Sequence, residues 1–138
     1  METVDDVLAL VREQGGRVTS SRRLLLHALF DAPRHWTAEG LTEVVQAQAP
    51  DISLSTVYRN LEEFEQMGVI VHAHLGHGPA TYHLAAGAHS HFVCEKCNAT
   101  FEAPDELFQN LSKSAKARFG FEIEPHHFAI LGRCRNCT

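Results

Sequence analysis

The four cysteines of this chain form two C-x-x-C pairs, Cys94-Glu-Lys-Cys97 and Cys134-Arg-Asn-Cys137. Brought together, such pairs offer four thiolates in the tetrahedral arrangement that zinc takes in structural sites. The chain between residues 97 and 134 must then fold back on itself. Four sulfur ligands also leave no open coordination position, so this zinc is expected to hold structure and to perform no chemistry. A disulfide framework competes on cysteine count alone. The opening Met1-Glu-Thr-Val-Asp-Asp shows no secretory pattern, however, and a reducing cytoplasm keeps thiols available for metal.

At 138 residues the chain suits one domain, or two small ones if a metal or a partner chain supplements the lesser core. Val4, Val7, Leu8, Leu10 and Val11 recur at helical spacing until Gly15-Gly16. Thr19-Ser20-Ser21 supplies N-caps to a second helix through Phe30, and Thr37 caps a third segment that Pro50 ends. Ser53 caps a fourth, with Val57, Leu61, Phe64 and Met67 on one face before Gly68. Short turns between three of these helices suggest a helix-turn-helix core. Residues 69–75 and 81–84 read as a β-hairpin around a Gly/Pro tip, which makes the unit a winged helix. Ala85-Ala-Gly-Ala88 reads as a hinge, dividing the chain into domains at 1–85 and 86–138. Beyond it the sequence predicts a strand into Cys94, a strand through Thr100-Phe101-Glu102, a helix opening at Pro104 and a strand through 127–131. The expected class is α+β: a winged helix-turn-helix, then a small α/β domain holding a four-cysteine zinc site. No apolar run approaches the roughly 20 residues that span a bilayer, so a soluble, cytoplasmic chain without a membrane partner is expected.

A net charge of -5 argues, taken alone, against a nucleic-acid partner. The charge is uneven, however, with Arg12, Arg17, Arg22 and Arg23 opposed only by Glu13. Asp51-Ile-Ser-Leu-Ser-Thr-Val-Tyr-Arg-Asn-Leu61 reads as a recognition helix carrying Ser55, Thr56, Tyr58 and Arg59 near its N-terminal end, the end that meets bases and phosphates in a major groove. Arg59 suits a guanine edge or a phosphate, and Tyr58 a thymine methyl or a phosphate. The plain alternative makes Tyr58 a core-edge residue and Arg59 a solvated charge. The acids Glu62, Glu63 and Glu65 are expected to face away from DNA.

Four motifs now stand in order: Gly16-Arg-Val-Thr19 followed by Arg22, Ser53-x-x-Thr-Val-Tyr-Arg-x-Leu61, His89-x-His-Phe-Val-Cys94-x-x-Cys97, and Cys134-x-x-Cys137. In these the chain resembles, over nearly its whole length, the ferric uptake regulator family of metal-dependent bacterial transcription factors. The resemblance implies a homodimer with an N-terminal winged helix and a C-terminal dimerisation and metal-binding domain. It implies repression of metal-uptake or stress genes when a regulatory metal is bound, through an inverted repeat in double-stranded DNA. It also places Arg17 at the minor groove, Tyr58 and Arg59 in the major groove, and Arg22 among the DNA-binding residues.

His89 and His91 alternate on a predicted strand, so both imidazoles face one side and can chelate one ion. The resemblance adds His35, His83 and Glu102 to that regulatory site. The family usually carries a carboxylate where His83 stands, and an imidazole there favours nickel or zinc over manganese or calcium. His72 and His74 form a second His-x-His pair. Together with His127 they resemble the nickel-responsive uptake regulators of actinobacteria, in which an all-histidine site is attributed to nickel. Those regulators carry a longer histidine run where Ala86-Gly-Ala88 stands here. Any one of these histidines is ordinarily a surface polar residue, and the set carries the argument. His27 and His77 are assigned to structure or solvent, and His126 to the strand face opposite His127. Nickel is thus the preferred regulatory ion, with ferrous iron, manganese or zinc as alternatives; the rival regulator is an iron- or manganese-dependent peroxide or iron-uptake type. A histidine-rich zinc enzyme lacks a His-Glu-x-x-His helix and a general base beside an open metal, so no enzyme is expected. A metal-carrier module would leave the Tyr58-Arg59 helix without a purpose.

Overall fold

Four helices are started by side-chain caps, most of them at the residues the sequence marks. Helix α1 (Val4–Glu13) opens with a reciprocal box: the Thr3 hydroxyl accepts from the Asp6 N–H, and the Asp6 carboxylate accepts from the Thr3 N–H. Thr19 caps α2 (Ser20–Asp31), Thr37 caps α3 (Ala38–Gln46) and Ser53 caps α4 (Leu54–Gln66), each accepting the N–H three residues on. The molecule was analysed as a computed structural model, which describes residues 3–75, 78–87, 89–124 and 129–138. The chain divides into two compact units, one of Met1–Val71 with Thr81–Gly87, the other of His72–Ala80 with Ala88–Thr138. The division after residue 87 lies two residues beyond the boundary read from the sequence. Residues 72–80 group with the second unit, whereas the sequence placed them in the first.

The first unit is built by burial of helix faces. Leu25, Leu26 and Leu29 of α2, Leu41 and Val45 of α3, and Val57, Leu61 and Phe64 of α4 lose nearly all solvent contact, joined by Val7 and Leu8 of α1. Strands β1 (Ile70–Ala73) and β2 (Thr81–Leu84) form the expected hairpin. A further pairing is invisible in the sequence pattern. Trp36, in the loop before α3, exchanges two backbone hydrogen bonds with Tyr82: its N–H donates to the Tyr82 carbonyl at 2.9 Å and its carbonyl accepts at 2.7 Å. Burial of the indole, whose Nε1–H donates to the Ala32 carbonyl at 3.0 Å, anchors that loop.

The second unit is a three-stranded sheet in the order β4-β3-β5 with one helix. Central strand β3 (Ser90–Cys94) runs antiparallel to β4 (Thr100–Ala103) and parallel to β5 (Ala129–Gly132). Helix α5 spans Glu106–Phe119, two residues later than the expected opening at Pro104, and stops at Gly120 in the left-handed conformation (φ 63°). The Phe92 ring of β3 stacks on Phe108 of α5 at 6.3 Å. Few of its described apolar side chains are buried, Val93, Cys94, Ala103 and Phe108 among them, whereas Phe119 is 80% and Phe121 61% exposed. The expected start of the last strand at residue 127 lies outside the described residues.

Gly16 is packed against the end of α1: a Cβ there would sit 2.9 Å from Val11 Cγ1 and 3.1 Å from the Val11 carbonyl oxygen. Replacing it by alanine is therefore expected to cost about 1–3 kcal/mol, read as a lower urea midpoint at constant m-value in zinc-retaining protein.

Candidate metal centres

The parallel pairing of β3 with β5 sets Cys94 opposite Gly132, and the Glu95 N–H donates to the Gly132 carbonyl at 2.8 Å. That register delivers the second C-x-x-C to the first. Each pair closes a tight turn, with the Asn98 N–H on the Cys94 carbonyl, Asn98 itself left-handed (φ 61°), and the Cys137 N–H on the Cys134 carbonyl. All four thiols are free, and their sulfurs lie within 4.8 Å of one another. Cys97 and Cys134 are 3.7 Å apart, against an S···S edge of about 3.8 Å for tetrahedral zinc with 2.3 Å bonds. The cluster fits zinc. Its electrostatics point the same way: the Cys94 thiol is lowered to about 6, first by the Cys134 backbone N–H and then by that of Cys97. Cys137 is pushed up to about 12, first by its hydrogen bond with Cys134 and then by burial. Four close sulfurs do not all ionise unaided, and a divalent cation supplies the missing charge.

The antiparallel pairing of β3 with β4 sets His91 directly opposite Glu102, so both side chains leave the sheet on one face, which His89 shares two residues away. His89 Nε2 is 3.4 Å from Glu102 Oε1, and the His89 and His91 rings are 4.4 Å apart between centroids. His91 is fully buried, so this imidazole is fixed by the sheet. Three of the five residues expected at the regulatory site thus assemble within the second unit.

The other two assemble within the first. Because Trp36 and Tyr82 are paired, their neighbours His35 and His83 fall at the next antiparallel position, where side chains approach most closely. Their rings meet edge to face at 4.8 Å, and His83 is buried. His72 and His74 also lie together, centroids 5.5 Å apart. Among the described residues no third ligand completes a metal cluster with that pair, and their expected partner His127 lies outside the described residues, as do His77 and His126. His27, assigned to structure or solvent, lies 3.8 Å from Asp31 along α2 with its side chain half exposed.

Arg17, Ser55, Tyr58 and Arg59 are exposed, and Thr56 is half-buried beside the Ser53 cap. The Tyr58 hydroxyl donates to Glu39 of α3 at 3.3 Å. Burial and then the Glu39 charge raise its pKa, so it stays a donor at neutral pH. Arg22 has partners within the protein: its guanidinium donates to the Arg17 carbonyl and pairs with Glu63, leaving its side chain 15% exposed. Sequence reasoning passed over Glu39, and it turned Glu63 away from DNA without giving it a partner. No local spacing marks the Arg22–Glu63 pair, whose partners stand 41 positions apart.

The sequence profile of the ferric uptake regulator family matches residues 13–131. The peroxide-responsive repressor PerR of Staphylococcus aureus is 25% identical over 97% of this chain and 90% of its own length. The ferric uptake regulator of Pseudomonas aeruginosa, solved with manganese, is 31% identical and superimposes with a TM-score of 0.70 over 92% of this chain and 96% of that one. The Helicobacter pylori ferric uptake regulator, at 21% identity, shares the fold with a TM-score of 0.76 over 99% and 94%. With its winged helix-turn-helix and its cluster of four cysteines, this chain belongs to the ferric uptake regulator family, whose members are metal-responsive transcriptional regulators and not enzymes.

Proposed function

We propose that this protein is a cytoplasmic, homodimeric repressor of metal-homeostasis genes whose preferred regulatory ion is nickel. The observation that carries the choice of metal is His83, a buried imidazole held beside His35 by the Trp36–Tyr82 pairing. With His89, His91 and Glu102 it makes a donor set of four nitrogens and one carboxylate, which suits nickel better than harder cations. His72 and His74, with His127, are a second candidate site of the same chemistry. An ion taking ligands from residues before and after the Ala85–Gly87 turn favours one arrangement of the two halves. Metal occupancy then becomes DNA affinity, to the extent that the ion binds that arrangement more tightly.

Exposed Leu107, Leu111, Phe119 and Phe121 in a unit with so small a core support a second copy as partner. No helix among the described residues is long and apolar enough to cross a membrane. Two copies present two α4 helices, and an inverted repeat is the duplex that matches them. In this reading Arg17, Ser55, Thr56, Tyr58 and Arg59 meet the DNA. A second reading is favoured by the relatives: a peroxide-responsive repressor and a regulator solved with manganese point to iron or manganese, and Glu102 keeps one oxygen donor in the set.

Selection from a random duplex pool separates the two. Zinc-retaining protein is expected to enrich an inverted repeat with nickel and not with chelator; enrichment with ferrous iron or manganese alone selects the second reading. His91→Ala is expected to lower metal-dependent affinity for the enriched duplex by about tenfold or more while keeping one zinc per chain. Cys137→Ser, by contrast, is expected to lose that zinc and with it the cooperative unfolding of the second unit, read by metal analysis and calorimetry.

A further inference from the structure

Helices α2 and α4 are tied by side chains near the N-terminus of α2. The Arg22 guanidinium pairs with Glu63 of α4, and Asn60 Nδ2 of α4 donates to Ser21 Oγ at 3.1 Å. The other terminal nitrogen of the same guanidinium donates to the carbonyl of Arg17. The segment bearing Arg17 is gripped on its other side as well, since the Gly16 N–H donates to the Val11 carbonyl at 2.9 Å and Gly16 packs on Val11. Arg17 and Arg59 line one hollow together with Thr19, Ser21 and Thr56. Arg22 is the group that touches both the Arg17 segment and α4.

We propose that Arg22 and Glu63 are positioning residues for DNA recognition: their ion pair locks the Arg17 segment against α4, so that contacts made by Arg17 and by Tyr58 and Arg59 stay in one register. A guanidinium suits the task because its planar fork offers separate donors to a carbonyl and to a carboxylate. A lysine offers one charge centre without that fork. The inference rests on the DNA-binding reading of Arg17 and α4 above, and it replaces a direct phosphate contact by Arg22 with an indirect role. The two roles predict opposite signs. An arginine that met phosphate would be released by loss of Glu63, and binding would tighten. A locking arginine would lose its anchor, and specific binding would weaken.

The test uses full-length, zinc- and regulatory-metal-loaded protein with two probes, the duplex enriched by the wild type from the random pool and a scrambled duplex of equal length. Glu63→Gln is expected to weaken binding to the enriched duplex by about tenfold, the scale of a charged hydrogen bond, while affinity for the scrambled duplex and the salt slope stay unchanged. Arg22→Gln is expected to do the same, and the double variant to lose no more than either single one, since both remove one bridge. Tighter binding by Glu63→Gln, or a salt slope reduced by about one in Arg22→Gln, overturns the inference in favour of a phosphate contact. Should Arg22→Gln unfold, Glu63→Gln decides alone, its side chain being 41% exposed. A selected duplex that Glu63→Gln binds as tightly as the wild type overturns the inference alone; selection of no duplex by the wild type overturns the DNA-binding reading and this inference with it.

Discussion

Strand β3 is hydrogen-bonded on both edges, and both candidate metal-ligand clusters of the second unit depend on that double register. Its pairing with β4 sets His91 against Glu102, and its pairing with β5 sets Cys94 against Gly132. A slip of one residue on either edge would turn His91 to the other face or carry Cys134 away from Cys94. Five residues are a short strand to hold two registers. The buried apolar groups around it are few, Val93, Ala103 and Phe108 among them, so a zinc ion at the four cysteines would supply cohesion that the core lacks. A zinc ion held by the four cysteines would steady the same strand that carries His91.

The first unit solves a similar problem without metal. Its core is large enough to fix α4, but the loop before α3 has no regular structure to place His35. Two backbone hydrogen bonds between Trp36 and Tyr82, with the indole buried beneath, convert that loop into a third edge of the hairpin. His35 and His83 then face each other as a consequence of pairing.

What the sequence made legible and what it hid follow the range of the interactions involved. Thr19, Thr37 and Ser53 could be read as caps because a cap acts over three residues, and the helix faces of α1 to α4 because burial follows a 3.6-residue period. The C-x-x-C pairs were legible because thiolate geometry is encoded in local spacing. The Trp36–Tyr82 bridge was hidden: a single pair leaves no alternation to detect. The partner of Arg22 was hidden for a related reason. The motif of Arg22 marks it as belonging near DNA, but the residue that decides where its charge goes, Glu63, is 41 positions away. Glu39 beneath Tyr58 is likewise a tertiary neighbour, 19 residues distant.

These acidic partners also bear on the overall charge of -5. Net charge sets the long-range field, yet salt at physiological strength screens it beyond about 8 Å, so the groups nearest a phosphate matter most. Around α4 two of those nearest acids are engaged. Glu63 is held by Arg22, and Glu39 accepts from the Tyr58 hydroxyl. Arg17 and Arg59 remain exposed on the same hollow. A surface of this kind attracts a duplex weakly at long range and selectively at contact. For a regulator whose affinity must be switched by a metal, weak background attraction is useful: the less binding the field supplies unconditionally, the larger the share that metal occupancy can control.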